Sequence, residues 1–212
     1  MDKELAHKLI EKYYTVKEVY VKCEEIAIEL NSNIQPLNEF RAALDHIFRI
    51  IVSDYDYSVT IKPTIEEEAN KLLGHLNRAY FDVCELLCSY FRLKICNCMD
   101  KFTVEDIREA LPEYYTEIKP YIDSCEMDIA NIRLRRGIEY GEEQENLFKE
   151  FKAIVDNLEK YYIKIIGDTN NIGAQKDLKK HKRNRYIFNG ISISIGVIGI
   201  IVSIIFGVIS CM

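Results

Sequence analysis

Residues 38–49 place two guanidinium groups, a carboxylate and an imidazole on a short stretch of predicted helix. Arg41 and Asp45 are four residues apart, and Arg49 follows Asp45 at the same spacing, so these three side chains can form ion pairs along one helix surface. The cluster predicts either a network that ties helices or protomers together or a local ligand site that uses Arg41, His46 and Arg49.

Arg41 and His46 also have the Arg-x4-His spacing of HEPN-type ribonucleases, which this segment resembles in that respect. The resemblance implies RNA cleavage by two such helices that face each other across a dimer. The residue after the arginine, which is commonly polar in those enzymes, is Ala42 here. A membrane-anchored HEPN-like ribonuclease is therefore one alternative function, and it predicts RNA decay that His46→Ala abolishes.

A second group of cations, Arg133, Arg135 and Arg136, ends a predicted helix. Cations favour the negative end of a helix, so a structural role explains the group simply. Residues 1–175 carry 22 basic and 33 acidic side chains, and such a negative field repels phosphate. A nucleotide or short oligonucleotide ligand would need a local basic pocket, for which these arginines are the candidates.

The familiar motifs of catalytic and cofactor sites are absent from the sequence. It contains no glycine-rich phosphate loop, no Gly-x-Ser-x-Gly elbow and no His-Glu-x-x-His pair. Cys84, Cys88, Cys96 and Cys98 lack the two knuckles of a structural zinc site, so we expect them to act as small buried hydrophobes. We expect no enzymatic activity, no catalytic residue, no metal and no cofactor.

Residues 187–212 contain no charged side chain and are predicted to form a transmembrane helix. The 21 residues 191–211 would extend about 31 Å as a helix, which matches a hydrocarbon core of about 30 Å. Small residues on one face let helices approach closely in lipid, and this face could pack against another helix or line a narrow lumen. The predicted oligomer or pore face consists of Asn189, Ser192, Gly196, Gly199, Ser203, Gly207 and Ser210.

A basic neck precedes the predicted span and follows a predicted hinge at residues 168–175. Positive charge beside a span marks its cytoplasmic side, so residues 1–186 are expected in the cytoplasm of a bacterium and the single span in the inner membrane. The same cations would contact anionic lipid head groups. The neck cations are Lys176, Lys179, Lys180, Lys182, Arg183 and Arg185.

The sequence predicts an all-α protein in which residues 1–167 form a long-helix antiparallel bundle or coiled coil, residues 168–186 the hinge and neck, and residues 187–212 the single C-terminal transmembrane helix. Capping residues predict helix starts at Thr64 and Thr103, a break is expected at Pro120, and Gly167 is expected to end the last bundle helix. The bundle is assigned to oligomerisation and sensing. Its predicted inward positions include Ile10, Tyr13, Val16, Cys23, Leu37, Phe40, Leu44, Ile47 and Ile51.

In layout, the chain resembles the coiled-coil and transmembrane effectors of bacterial anti-phage defence, in particular the membrane effector of Hailong systems. Residues 38–49 and 189–210 are the segments that carry this resemblance. It implies a homo-oligomer, such as a tetramer, that binds a nucleotide-derived signal from a nucleotidyltransferase-like partner and permeabilises or depolarises the inner membrane. The other alternative is a tail-anchored helical scaffold without a pore.

Overall fold

The computed structural model describes the backbone of residues 3–26, 34–54, 64–138 and 141–210. Side chains are described in these ranges except at residues 34, 53–54, 170–171, 175–176, 179, 186 and 188–210. Every regular element in these ranges is helical, so the predicted all-α class is confirmed. The helices are α1 (Lys3–Ile26), α2 (Ile34–Asp54), α3 (Ile65–Met99), α4 (Val104–Ala110), a π-helical turn (Tyr114–Ile118), α5 (Lys119–Arg135) and α6 (Glu142–Ser210).

Helix α3 is the centre of the bundle, because α1, α2 and α6 all contact it. Phe81 of α3 stacks on Phe148 of α6 with ring centroids 4.8 Å apart, and both rings are buried. Lys12 of α1 lies over the ring of Phe148, with its Nζ 3.2 Å from the ring centroid. The long helices therefore share one core, whose largest fully buried side chains include Tyr80, Phe91, Phe151, Leu72, Leu76, Leu87, Ile95, Leu111, Ile118, Ile132 and Leu147.

Ion pairs show how the helices are oriented. Lys12 bonds to Glu145 at 3.0 Å and Lys22 pairs with Glu159, so residue numbers rise together and α1 runs parallel to α6. Between α2 and α3, and between α5 and α6, the numbers rise in opposite directions, so consecutive long helices are antiparallel. The pairs that show this are His46–Glu68, Glu39–His75, Arg135–Glu150 and Tyr121–Tyr161.

Both predicted capping motifs are confirmed. The hydroxyl of Thr64 accepts a hydrogen bond from the backbone N–H of Glu67, whose carboxylate accepts one from the N–H of Thr64. Thr103 accepts in the same way from the N–H of Asp106. Because these bonds satisfy backbone donors that a helix start leaves free, α3 and α4 begin where the sequence places them.

Pro120 is accommodated by a wider turn, so the predicted break lies just before α5. Residues Tyr114–Ile118 form a π-helical turn, and the N–H of Lys119 bonds to the carbonyl of Tyr114 rather than to the next one along. Proline lacks an N–H and its ring crowds the carbonyl four residues earlier. A π turn at this point lets the chain remain helical on both sides of Pro120.

The predicted helix end at Gly167 is wrong, and residues 168–175, which the sequence predicts as a hinge, are part of the helix. Helix α6 continues through residues 168–175 to Ser210. Ile165 and Ile172, on either side of Gly167, are both fully buried. A glycine inside a helix costs only about 1 kcal/mol relative to alanine, and burial of these two isoleucines exceeds that cost.

The predicted inward faces of α1 and α2 are also partly wrong. In α1, Val16 and Cys23 are buried as predicted, but Leu9 rather than Ile10 lies in the core and Tyr13 is exposed. In α2 the buried positions are Ala43 and Ile50, with Pro36. The large apolar residues predicted to face inward on α2 are exposed instead, namely Leu37, Leu44, Ile47 and Ile51.

Within the described residues, no helix combines the length and apolarity that crossing a bilayer requires. The side chains of residues 188–212 in the predicted span are outside the described part. They include the predicted oligomer or pore face of Asn189, Ser192, Gly196, Gly199, Ser203, Gly207 and Ser210. The side chains of the neck residues Lys176 and Lys179 are outside it too. Lys180, Lys182, Arg183 and Arg185 are exposed on α6.

Candidate functional site

A polar seam between α2 and α3 is centred on the buried carboxylate of Glu68, which is 1 % exposed. His46 of α2 lies with its Nδ1 2.6 Å from one carboxylate oxygen, and Lys71 lies with its Nζ 2.8 Å from the other. The bond from Lys71, helped by that from His46, holds the pKa of Glu68 below its usual value against the effect of burial. Glu68 is therefore ionised at neutral pH, and the imidazole donates to it.

A second acid–imidazole pair lies beside the first. Glu39 of α2 accepts a bond from Arg78 Nε at 2.9 Å, and its carboxylate is 2.7 Å from Nδ1 of His75. The rings of His46 and His75 stack with centroids 5.1 Å apart. Each helix thus contributes one histidine and one glutamate, and the two pairs cross the interface in opposite directions.

The seam accounts for two of the three candidate residues of the Arg41 to Arg49 cluster. His46 and Arg49 face Glu68, the latter at 3.9 Å, whereas Arg41 lies on the exposed side of α2. Residues five apart on a helix are separated by about 140° around its axis, and here His46 turns to Glu68 while Arg41 is exposed, so this arrangement does not bring the two side chains together. Chemically, the seam is an ion-pair network that fixes α2 on α3.

The arginine cluster at the end of α5 is divided between two surfaces. Arg133 donates to Glu85 of α3 at 2.7 Å, and Arg136 donates to the other oxygen of Glu85 at 3.1 Å. Arg135 points to the opposite side and bonds to Glu150 of α6 at 2.7 Å. Only two of the three predicted anion-binding arginines therefore lie together, and carboxylates already neutralise them.

Two adjoining grooves open beside this cluster and share Glu85, Ser89 and Arg133. Their volumes are about 300 Å³ and about 280 Å³. Arg92 lines the second groove and pairs with Glu126 of α5. The Nε of Arg92 is buried and has no hydrogen-bond partner in the part of the chain that the structure describes. These adjoining grooves, which we call the arginine groove, offer a polar cleft with one unused donor.

The charges around the arginine groove balance, because Arg92, Arg133 and Arg136 face Asp82, Glu85 and Glu126. The hydrogen bond to Glu85 raises the pKa of Arg133, while burial raises that of Asp82 although Arg136 opposes it. A phosphate would have to displace carboxylates from the guanidinium groups. Each of these ion pairs has one partner that is mostly buried, so the exchange costs more than the roughly 0–1 kcal/mol of a fully exposed pair and requires a ligand with several anionic oxygens.

The cysteines predicted to be small buried hydrophobes divide into two groups. Cys84 and Cys88 are fully buried, and burial raises the pKa of both thiols, that of Cys88 to about 12. Cys96 is exposed and Cys98 is partly exposed. Across the described ranges no three His, Cys, Asp or Glu side chains are grouped as metal ligands.

The chain matches no protein-family model, no curated protein and no solved structure. The geometry of its own residues is therefore the basis for a functional assignment. Sequence reasoning had identified His46 and the arginines but missed their acidic partners. The sequence around Glu39, Glu68 and Glu85 does not reveal these pairings. Each glutamate meets its histidine or arginine partner only through helix packing, across 22 to 48 residues of chain.

Proposed function

We propose that this protein is an oligomeric effector of the bacterial inner membrane that permeabilises or depolarises the membrane under control of a nucleotide-derived ligand, as in anti-phage defence. The cytoplasmic bundle binds the ligand, the neck cations contact lipid head groups, and residues 187–212 assemble in the bilayer. A nucleotidyltransferase-like partner supplies the ligand. The protein performs no catalysis of its own.

The observation that carries this proposal is the continuity of α6. This helix has 69 residues and runs from Glu142, in the bundle, through the predicted span to Ser210. At 1.5 Å per residue it is about 100 Å long. Because α6 contacts α3, α4 and α5, a change in bundle packing would move the membrane segment as part of the same helix.

The predicted small-residue face of the span gives a first test. Gly196→Leu, Gly199→Leu and Gly207→Leu together should abolish membrane depolarisation and growth arrest on expression, because bulky side chains would keep the helices apart. Potential-sensitive dye uptake measures depolarisation, and native mass determination of detergent-extracted protein measures the oligomer.

The matched control is Ile198→Leu, Ile201→Leu and Ile205→Leu, which also introduces three leucines but on the opposite side of the predicted helix. It should depolarise like the parent. If the glycine variant remains fully active and oligomeric, the small-residue face is not the assembly surface. A scaffold without a pore would give no depolarisation with any variant, the parent included.

The arginine groove is the proposed ligand site, and it gives a second test. Arg92→Gln with Arg133→Gln should weaken binding of a short oligoadenylate probe at least tenfold in isothermal titration, because both side chains line the cleft. Arg135→Gln is the control, since Arg135 faces Glu150 on another surface. Equal affinity in all three proteins would remove the groove from the proposal.

The ribonuclease alternative receives less support from the geometry. His46 is held by Glu68, and Arg41 lies on the other side of α2. An RNA-decay assay with His46→Ala distinguishes the two functions, since the membrane effector requires no RNA cleavage.

A further inference from the structure

Helix α2 lies on the bundle with its apolar face turned outward. Leu44 is 49 % exposed and Phe48 is 57 % exposed, and Leu37 and Ile51 are similarly open. The side of α2 that meets α3 instead carries Ala43, Ile50 and the polar seam. We call the exposed side, residues Leu37, Arg41, Leu44, Phe48 and Ile51, the outer face of α2.

The spacing along the outer face is that of a two-helix seam. Its five positions are separated by four, three, four and three residues, which is the heptad pattern of a coiled coil. A helix with this pattern buries its apolar stripe against a second helix that has the same pattern. Within the described residues, α3 occupies the other side of α2 and no helix covers the outer face.

The outer face is complementary to itself when one copy is reversed. In an antiparallel pair with Leu44 opposite Leu44, Leu37 lies opposite Ile51 and Arg41 lies opposite Phe48. A guanidinium over an aromatic ring is a favourable contact, so the one charged seam residue finds a partner in this arrangement. The Leu44 contact lies on the two-fold axis, and each of the other contacts occurs twice.

Charge also favours a second copy at this surface. Helix α1 carries five basic and five acidic side chains, and α2 carries two and three, whereas residues 100–175 carry ten and 17. Two acidic proteins repel least where their surfaces are near neutral. A nucleic acid or a lipid surface would instead select clustered Lys and Arg, of which the outer face has only Arg41.

The exposed apolar residues of α2 can supply the non-polar part of a dimer interface. Six large apolar side chains on the exposed side of α2 are between 37 % and 57 % accessible, namely Leu37, Leu44, Ile47, Phe48, Ile51 and Val52. With roughly half of each side chain accessible, they offer about 500 Å², against about 450 Å² of non-polar area per partner in standard interfaces of about 800 Å². Phe40 of α2 contacts Tyr13 and Tyr20 of α1, so α1 adjoins this surface.

We infer that the outer face of α2 binds the outer face of a second copy of this chain in an antiparallel, two-fold arrangement centred on Leu44. This interface lies in the bundle and goes beyond the membrane assembly proposed above. It would join protomers in pairs whether or not residues 187–212 associate.

Cysteine crosslinking of the full-length protein in detergent tests the arrangement. Leu44→Cys should give a disulfide-linked dimer under mild oxidation, well above the background that the native cysteines produce in the parent. Leu134→Cys is the matched control, because Leu134 is 72 % exposed and belongs to α5, which contributes no residue to the outer face. A Leu44→Cys band no stronger than that control would overturn the inference.

Two further proteins test the direction of the helices. Mixing Leu37→Cys protein with Ile51→Cys protein should give the mixed disulfide, while Leu37→Cys alone should give no dimer above the background of the parent. A strong Leu37→Cys homodimer would indicate parallel helices and overturn the antiparallel arrangement.

A charge placed on the outer face of α2 distinguishes this interface from assembly through the membrane segment. Phe48→Asp in the Leu44→Cys protein should remove the crosslink, and the exposed Met127→Asp on α5 should not. The leucine variants of Gly196, Gly199 and Gly207 should retain the Leu44→Cys crosslink even if depolarisation is lost. Loss of the crosslink in those variants would show that the bundle contact depends on the membrane segment and would overturn it as an independent interface.

Discussion

Glu68→Gln is expected to lower the free energy of unfolding by about 2 kcal/mol at pH 7. The carboxylate of Glu68 is buried and accepts bonds from His46 at 2.6 Å and Lys71 at 2.8 Å. Glutamine has nearly the same size but no charge, so it weakens both charge-assisted bonds without opening a cavity. Chemical denaturation followed by helical circular dichroism measures the difference.

The same variant should show a distinct dependence on pH. The pKa of Glu68 is lowered from its ordinary value of 4.5 in the folded protein, so its contribution to stability is fully present above that value. As the pH falls below 4.5 and through the folded pKa, the carboxylate becomes protonated and the contribution is lost. The difference between the parent and Glu68→Gln should therefore shrink in acid.

Glu66→Gln is the control for this effect. Glu66 lies in the same first turn of α3 but is exposed, so the variant removes the same charge near the helix start without touching the seam. Its cost should be no more than about 0.5 kcal/mol. Equal stability losses in the two variants would mean that the seam contributes nothing beyond the helix dipole.

Under the proposed function, Gly167→Pro is expected to abolish membrane depolarisation while leaving the bundle folded. Proline removes the bond from the N–H of residue 167 to the carbonyl of Ile163 and crowds that carbonyl, at a cost of about 3 kcal/mol or more in a helix interior. Because α6 is continuous through Gly167, the kink would separate the bundle from residues 187–212. Dye uptake measures the activity, and membrane fractionation checks that the protein still inserts.

Gly167→Ala is the matched variant and should have the opposite effect on the helix. A methyl group at this position meets no other atom within 4 Å, so alanine adds up to about 1 kcal/mol of helix stability without a clash. Activity should be retained. A fully active Gly167→Pro protein would contradict the role of α6 as the coupling element.

Local signals in the sequence predicted the helix boundaries well where capping residues mark them. Thr64 and Thr103 accept hydrogen bonds from donors three residues away, so both partners of each bond lie in the same short stretch of sequence. The prediction failed at Gly167, because glycine weakens a helix only modestly and the burial of Ile165 and Ile172 depends on other helices. Pro120 was identified as a break, but the apolar pattern did not indicate that a π turn before it would keep the chain helical on both sides.

The candidate site was predicted only in part. The arginines of α5 are visible in the sequence, but Arg133 and Arg136 meet Glu85 of α3, whereas Arg135 meets Glu150 of α6. Consecutive positions on a helix point in directions about 100° apart, so a run of cations is divided among different neighbours. Which carboxylates neutralise them is decided by helix packing.

The sequence by itself determined that the described chain is helical, because apolar spacing and capping are local properties. Only the tertiary structure decided which side of α2 faces the bundle. The apolar pattern predicts that Leu44 is inward, yet two acid–imidazole pairs and the small side chain of Ala43 meet α3. The physical reason is that an amphipathic pattern specifies a face to be covered but not what covers it. Partners distant in sequence, from this chain or from another copy, determine that choice.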